Sequence, residues 1–104
     1  MARRKALNQE LIKLLGSSNV YFNPPESIKL KYPCIVYNES NKNLLSADNK
    51  KYRLLNQYQL TGIDRDADHG SAVTDAILES LQYCSLEREF IYDELNHWVL
   101  RLFY

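Results

Sequence analysis

Glycine is scarce in this chain: three residues, Gly16, Gly62 and Gly70, stand far apart among 104. A phosphate cradle needs a glycine-rich turn that brings backbone amides onto the ligand, so nucleotide binding of that kind is excluded. Cysteine is equally sparse. Cys34 and Cys84 each sit beside aromatic or apolar residues, and no CxxC or CxxH pair is present. Two such residues make no disulfide framework; they read as free, buried thiols in a reducing compartment such as a cytoplasm. Net charge is also missing, because 13 basic residues cancel 13 acidic ones. Nucleic-acid binders carry a basic excess that displaces phosphate counterions. The only local excess, Arg3-Arg4-Lys5, reads as a solvated helix end, and no specific nucleic-acid binding is expected. No apolar run reaches the 18 or so residues of a membrane span, and no apolar stretch of signal-peptide type follows the basic start.

What is present suits one small domain spanning residues 1–104. Hydrophobic residues make up 45% and charged residues 25%, ordinary values for a globular chain. A chain this long buries roughly 60–70% of its unfolded surface, enough for one core without metal or disulfide.

Leu7, Leu11, Leu14 and Leu15 share one helical face, and Gly16 follows where a helix terminates. Val20-Tyr21-Phe22 is a short apolar run broken by Asn23-Pro24-Pro25. Residues 33–38 are dense in β-branched and aromatic side chains and predict a strand. Asn38 to Asn49 is polar and reads as a loop or a long hairpin connection. Residues 51–64 alternate, with Tyr58, Leu60 and Gly62 set against Gln57, Gln59 and Thr61, which is period two with one wet face. Asp64 to Gly70 reads as a connector. Val73, Ala76, Ile77 and Leu81 then mark a helix over 71–82. Residues 87–93 and 96–104 read as two further strands. In the second, Trp98, Leu100, Leu102 and Tyr104 oppose His97, Val99, Arg101 and Phe103. Helices do not alternate with strands, so the fold class is α+β: an antiparallel sheet of four to five strands with two helices on one face.

The chemistry-bearing candidates are few. Asp64, Asp66 and Asp68 are spaced like the start of a calcium loop. The pattern then fails, with His69 where glycine is required and Asp75 where a bidentate glutamate belongs. The same residues also suit a helix N-terminus, which favours carboxylates. His69 and His97 are the only histidines, without zinc-ligand spacing. A Cys84–His97 nucleophile pair stays open, although no oxyanion-hole signature accompanies it. No cofactor is expected. Six of the twelve aromatic residues lie in residues 83–104, where Arg88 and Arg101 face Glu87, Glu89, Asp93 and Glu94. That balance favours core packing and a protein interface over base stacking.

Five phrases carry a resemblance. They are Leu30-Lys-Tyr-Pro-Cys-Ile-Val-Tyr37, Ala47-Asp-Asn-Lys-Lys-Tyr52, Ile63-Asp-Arg-Asp66, Tyr83-Cys-Ser-Leu-Glu-Arg88 and Leu95-Asn-His-Trp-Val-Leu-Arg-Leu-Phe-Tyr104. In this order, across residues 20–104, they resemble the tail-completion (tail terminator) proteins of long-tailed bacteriophages. Where relatives often have proline after Asp-Asn-Lys, this chain has Lys51. The resemblance implies a structural protein of the virion, assembled in the host cytoplasm, and no enzyme. Its expected partners are copies of itself in a ring, typically of six, the tail tube protein, and the head completion or connector protein. No membrane is involved. The polar 38–50 segment is the expected docking loop, with Asn41, Lys42, Asn43, Leu44, Leu45, Asp48, Asn49 and Lys50 as its contact residues. A head-completion adaptor on the portal side, or a small thiol- or histidine-dependent enzyme, stand as alternatives.

Overall fold

A computed structural model describes residues 2–47 and 50–104, with side-chain surroundings for residues 4–39 and 57–104. The element order is α1 (Ala2–Leu15), β1 (Val20–Phe22), β2 (Cys34–Ala47), β3 (Lys50–Asp64), α2 (Ala67–Ser80), β4 (Cys84–Tyr92) and β5 (Leu95–Phe103). The strands form one sheet in the order β1-β2-β3-β5-β4. All neighbouring pairs are antiparallel except β1 with β2, which run parallel. The fold is therefore α+β, as the pattern of elements predicts, with one parallel pair at an edge.

The main core lies between the helices and one sheet face. The α1 stripe delivers Leu7, Leu11 and Leu15, and α2 delivers Ile77, with Leu81 just beyond its end. They meet Ile35 and Tyr37 of β2, Tyr58 and Leu60 of β3, and Trp98, Leu100 and Leu102 of β5. These are every-second residues on each strand, so the period-two alternation is the imprint of this core. Gly16, at φ 79°, ends α1 in a left-handed conformation that suits glycine, and its N–H donates to Ile12 O at 2.9 Å. The Tyr37 hydroxyl donates to Asn8 Oδ1 at 2.7 Å and so ties α1 to the sheet.

A smaller cluster occupies the other face. Cys34, Ile63 and Leu95 are buried there beneath Leu30 and Tyr32 from the segment joining β1 to β2.

Three boundaries differ from expectation. First, α2 begins at Ala67, inside the stretch read as a connector. Asp66 makes this possible: its carboxylate accepts from Asp68 N at 3.0 Å and His69 N at 3.3 Å and so satisfies two orphan amides. Second, β4 and β5 are joined by Asp93 and Glu94 alone. Third, the segment read as a loop or a long hairpin connection is strand as far as Ala47. β2 continues to Ala47 and pairs with β3 from Lys42↔Asn56 to Ala47↔Lys50. A two-stranded ladder, rather than an apolar alternation, defines this stretch, so its polar composition concealed it. Since β5 pairs with β3 only from Gln57 to Asp64, residues 41–47 and 50–56 form a two-stranded ribbon that outruns the rest of the sheet.

Candidate interaction surface

The acidic segment before α2 is spent on local structure. Asp64 is 5% exposed. Its Oδ1 accepts from Asp66 N at 2.8 Å, and its Oδ2 lies 2.6 Å from His69 Nδ1. Its backbone carbonyl accepts from Asn96 Nδ2 at 3.2 Å, which fastens the start of α2 to β5. Asp66 caps the helix. Among the described residues, no three of His, Cys, Asp and Glu are grouped to hold a metal ion. A pocket beneath α2, beside Gly70, Thr74 and Trp98, holds about 10 Å³, room for one water at most.

The thiols are kept protonated. Burial pushes Cys34 up to about 12, with the Asp64 carboxylate adding to the effect. Burial alone pushes Cys84 up to about 11. A thiol is nucleophilic as its thiolate, which these surroundings disfavour. The pair left open as a nucleophile and base, Cys84 and His97, is not brought together. Cys84 stands opposite Leu102, on the helix-covered face, whereas His97 stands opposite Phe90 on the other. His97 Nδ1–H donates to Leu95 O at 3.0 Å, and its ring stacks on Phe90 at 4.7 Å.

The expected docking residues fall in two groups. Asn41, Lys42, Asn43, Leu44, Leu45 and Lys50 are strand residues of the β2–β3 ribbon, which corrects the expectation of a loop. Asp48 and Asn49 lie outside the described residues.

A surface that sequence reasoning did not single out lies along β4. This strand ends the sheet and pairs only with β5 among the described strands. All its residues after Cys84 are exposed. They include Leu86 at 41%, Phe90 at 40%, Ile91 at 73% and Tyr92 at 71%. Phe90 and Tyr92 lie together on the face of His97, and Leu86 and Ile91 on the opposite one; contiguous exposed apolar area marks an interaction site. An open groove of about 360 Å³ lies beside them, lined by Glu89, Phe90, Ile91, Asn96, His97 and Trp98. The turn at the tip holds Asp93 at φ 55° and Glu94 at φ 62°. This is the left-handed pair that a two-residue hairpin requires and that glycine or asparagine usually supplies. Glutamate there is strained, and such strain collects at functional positions. The available signal was Phe90-Ile91-Tyr92 itself. Three consecutive large apolar residues on a strand cannot all face one core.

No family model, curated protein or solved structure matches the chain.

Proposed function

We propose that this chain is a tail terminator of a long-tailed bacteriophage: it caps the head-proximal end of the tail tube and joins it to the head connector. Its work is binding, through a ring of its own copies and contacts to the tube protein and the connector protein. Five phrases of its sequence resemble that family in order, and the α+β fold is the one the resemblance implies. The observation that carries the reading is the pairing of a small, well-packed body with two different strand features, the projecting β2–β3 ribbon and the exposed β4 edge. A subunit of a closed ring needs two different complementary patches, because each copy meets its neighbours head to tail.

Electron microscopy of particles from a phage deleted for this gene tests the proposal. A terminator gives overlong tails without heads. Tails of normal length detached from heads would instead assign the chain to the portal side as a head-completion adaptor.

A further inference from the structure

We infer that the β4 edge of one copy is the socket for the β2–β3 ribbon of the next. This rests on the ring reading above and names its contact.

Charge is the first argument. Residues 41–56, the ribbon strands and the residues that join them, carry Lys42, Lys50, Lys51 and Arg53 against Asp48. The β4 strand and its turn carry Glu87, Glu89, Asp93 and Glu94 against Arg88. The two features have opposite sign in a chain whose total is zero, and complementary potentials of this kind select partner and orientation. Glu87 is already paired with Arg101, whereas Glu89, Asp93 and Glu94 are exposed.

Position is the second argument. Ribbon and acidic turn lie at opposite ends of the sheet: β3 leaves the ribbon at Gln57, opposite Phe103, and ends at Asp64, opposite Asn96. The span is about 23 Å at the usual strand rise. The ribbon therefore cannot reach the acidic turn of its own chain, but it can meet that of another copy.

Backbone pairing is the third. Among the described strands, β4 has a neighbour on one side only, and the ribbon runs past both β1 and β5, so neither of its edges has a neighbouring strand there. Strand addition gives each a neighbour. A symmetric β4–β4 pairing is disfavoured. Centred on Arg88, it would set Arg88 against Arg88 and Glu87 against Glu89, and like charges directly opposite destabilise a ladder. The bulge between Leu86 and Arg88 also interrupts its register. The apolar Phe90, Ile91 and Tyr92 and the groove beside them then provide the buried centre of a head-to-tail contact.

The test uses the full chain and charge reversal, read by sedimentation and native mass spectrometry. One variant replaces Lys42, Lys50, Lys51 and Arg53 by Glu; the other replaces Glu89, Asp93 and Glu94 by Lys. The wild type should self-associate below ~1 mM and weaken as salt rises from about 50 to about 500 mM. Each variant alone should associate at least about tenfold more weakly. An equimolar mixture should assemble with the two variants in equal numbers, and a chain carrying both sets of changes should recover self-association. A wild type that stays monomeric, a variant that associates like wild type, or a mixture that stays apart overturns the inference. Should a variant fail to fold, hydrogen exchange on the wild type decides: protection gained on concentration must fall on β4 and residues 41–56 together, and protection elsewhere overturns it. Overlong tails in the deletion phage beside a negative result here would leave the terminator reading standing and remove only this contact.

Discussion

Replacing Gly70 by Ala probes how α2 is seated. Gly70 lies in the first turn of α2 and is buried. Its N–H donates to Asp66 O at 2.9 Å. A β-carbon placed there would collide with Cζ3 and Cη2 of Trp98 and come within 3.0 Å of Asp64 Cβ. Trp98 is itself 5% exposed and belongs to the same core cluster as Leu60, Ile77 and Leu100, so its ring can yield only by disturbing that packing. Alanine in a helix interior normally gains about 1 kcal/mol over glycine. Overpacking a filled core costs about 1–3 kcal/mol or more. With two ring atoms in the way, the collision wins and the net loss is ~1–2 kcal/mol. For a domain of this size that lowers the melting temperature by about 5–15 °C. Trp98 is the only tryptophan, so its fluorescence reports the displacement directly. Shrinking the ring with Trp98→Phe should relieve the clash, so the two changes should couple favourably by about 1 kcal/mol or more in a double-mutant cycle. An unchanged or raised melting temperature, or strictly additive effects, refutes the packing argument.

Asp66→Ala removes the α2 cap and should cost about 0.5–2 kcal/mol in denaturant unfolding, whereas Asp66→Asn should keep most of it; equal losses would show that the cap contributes little. The raised thiols make stability alkali-sensitive. The folded state binds protons that the unfolded thiols release above about pH 9, so stability is intact below that and declines as pH climbs towards 11–12. Replacing Cys34 and Cys84 together by Ala should flatten that decline in pH-dependent urea melts, and an unaltered slope would remove the thiols as its cause. Cys84→Ala alone should lower stability by on the order of 1–2 kcal/mol and nothing else; loss of a hydrolytic or transfer activity in a folded variant would restore the enzyme alternative. Thermal melts with and without chelator, and with and without reductant, should superimpose; a fall of several degrees with chelator would return Asp64, Asp66 and Asp68 to a metal-binding role.

Much of the core could be read directly. The leucine stripe of α1 and the alternation of Trp98, Leu100 and Leu102 are periodicities imposed by a shared apolar layer, and the structure places them there. The start of α2 was hidden because Asp64 and Asp66 belong as readily to a connector as to a cap. The ribbon was hidden because Asn, Ser and Lys are depleted in strands, and only a partner strand at the right register holds them extended. Thr74 and Gly70 are buried in α2 through close approach to the sheet, which no apolar pattern announces. The β4 surface was half legible. The aromatic density of residues 83–104 pointed to packing or an interface, but which residues face outward depends on β4 being an edge strand of the sheet, a property of topology rather than of local sequence.

Immunogold labelling of intact virions tests most directly whether the protein sits at the head-proximal end of the tail tube. Antibody raised against the purified chain should mark a single site at the head-proximal end of each tail tube. Label spread along the tube, gathered at the distal tip, or absent from the particle would contradict the account.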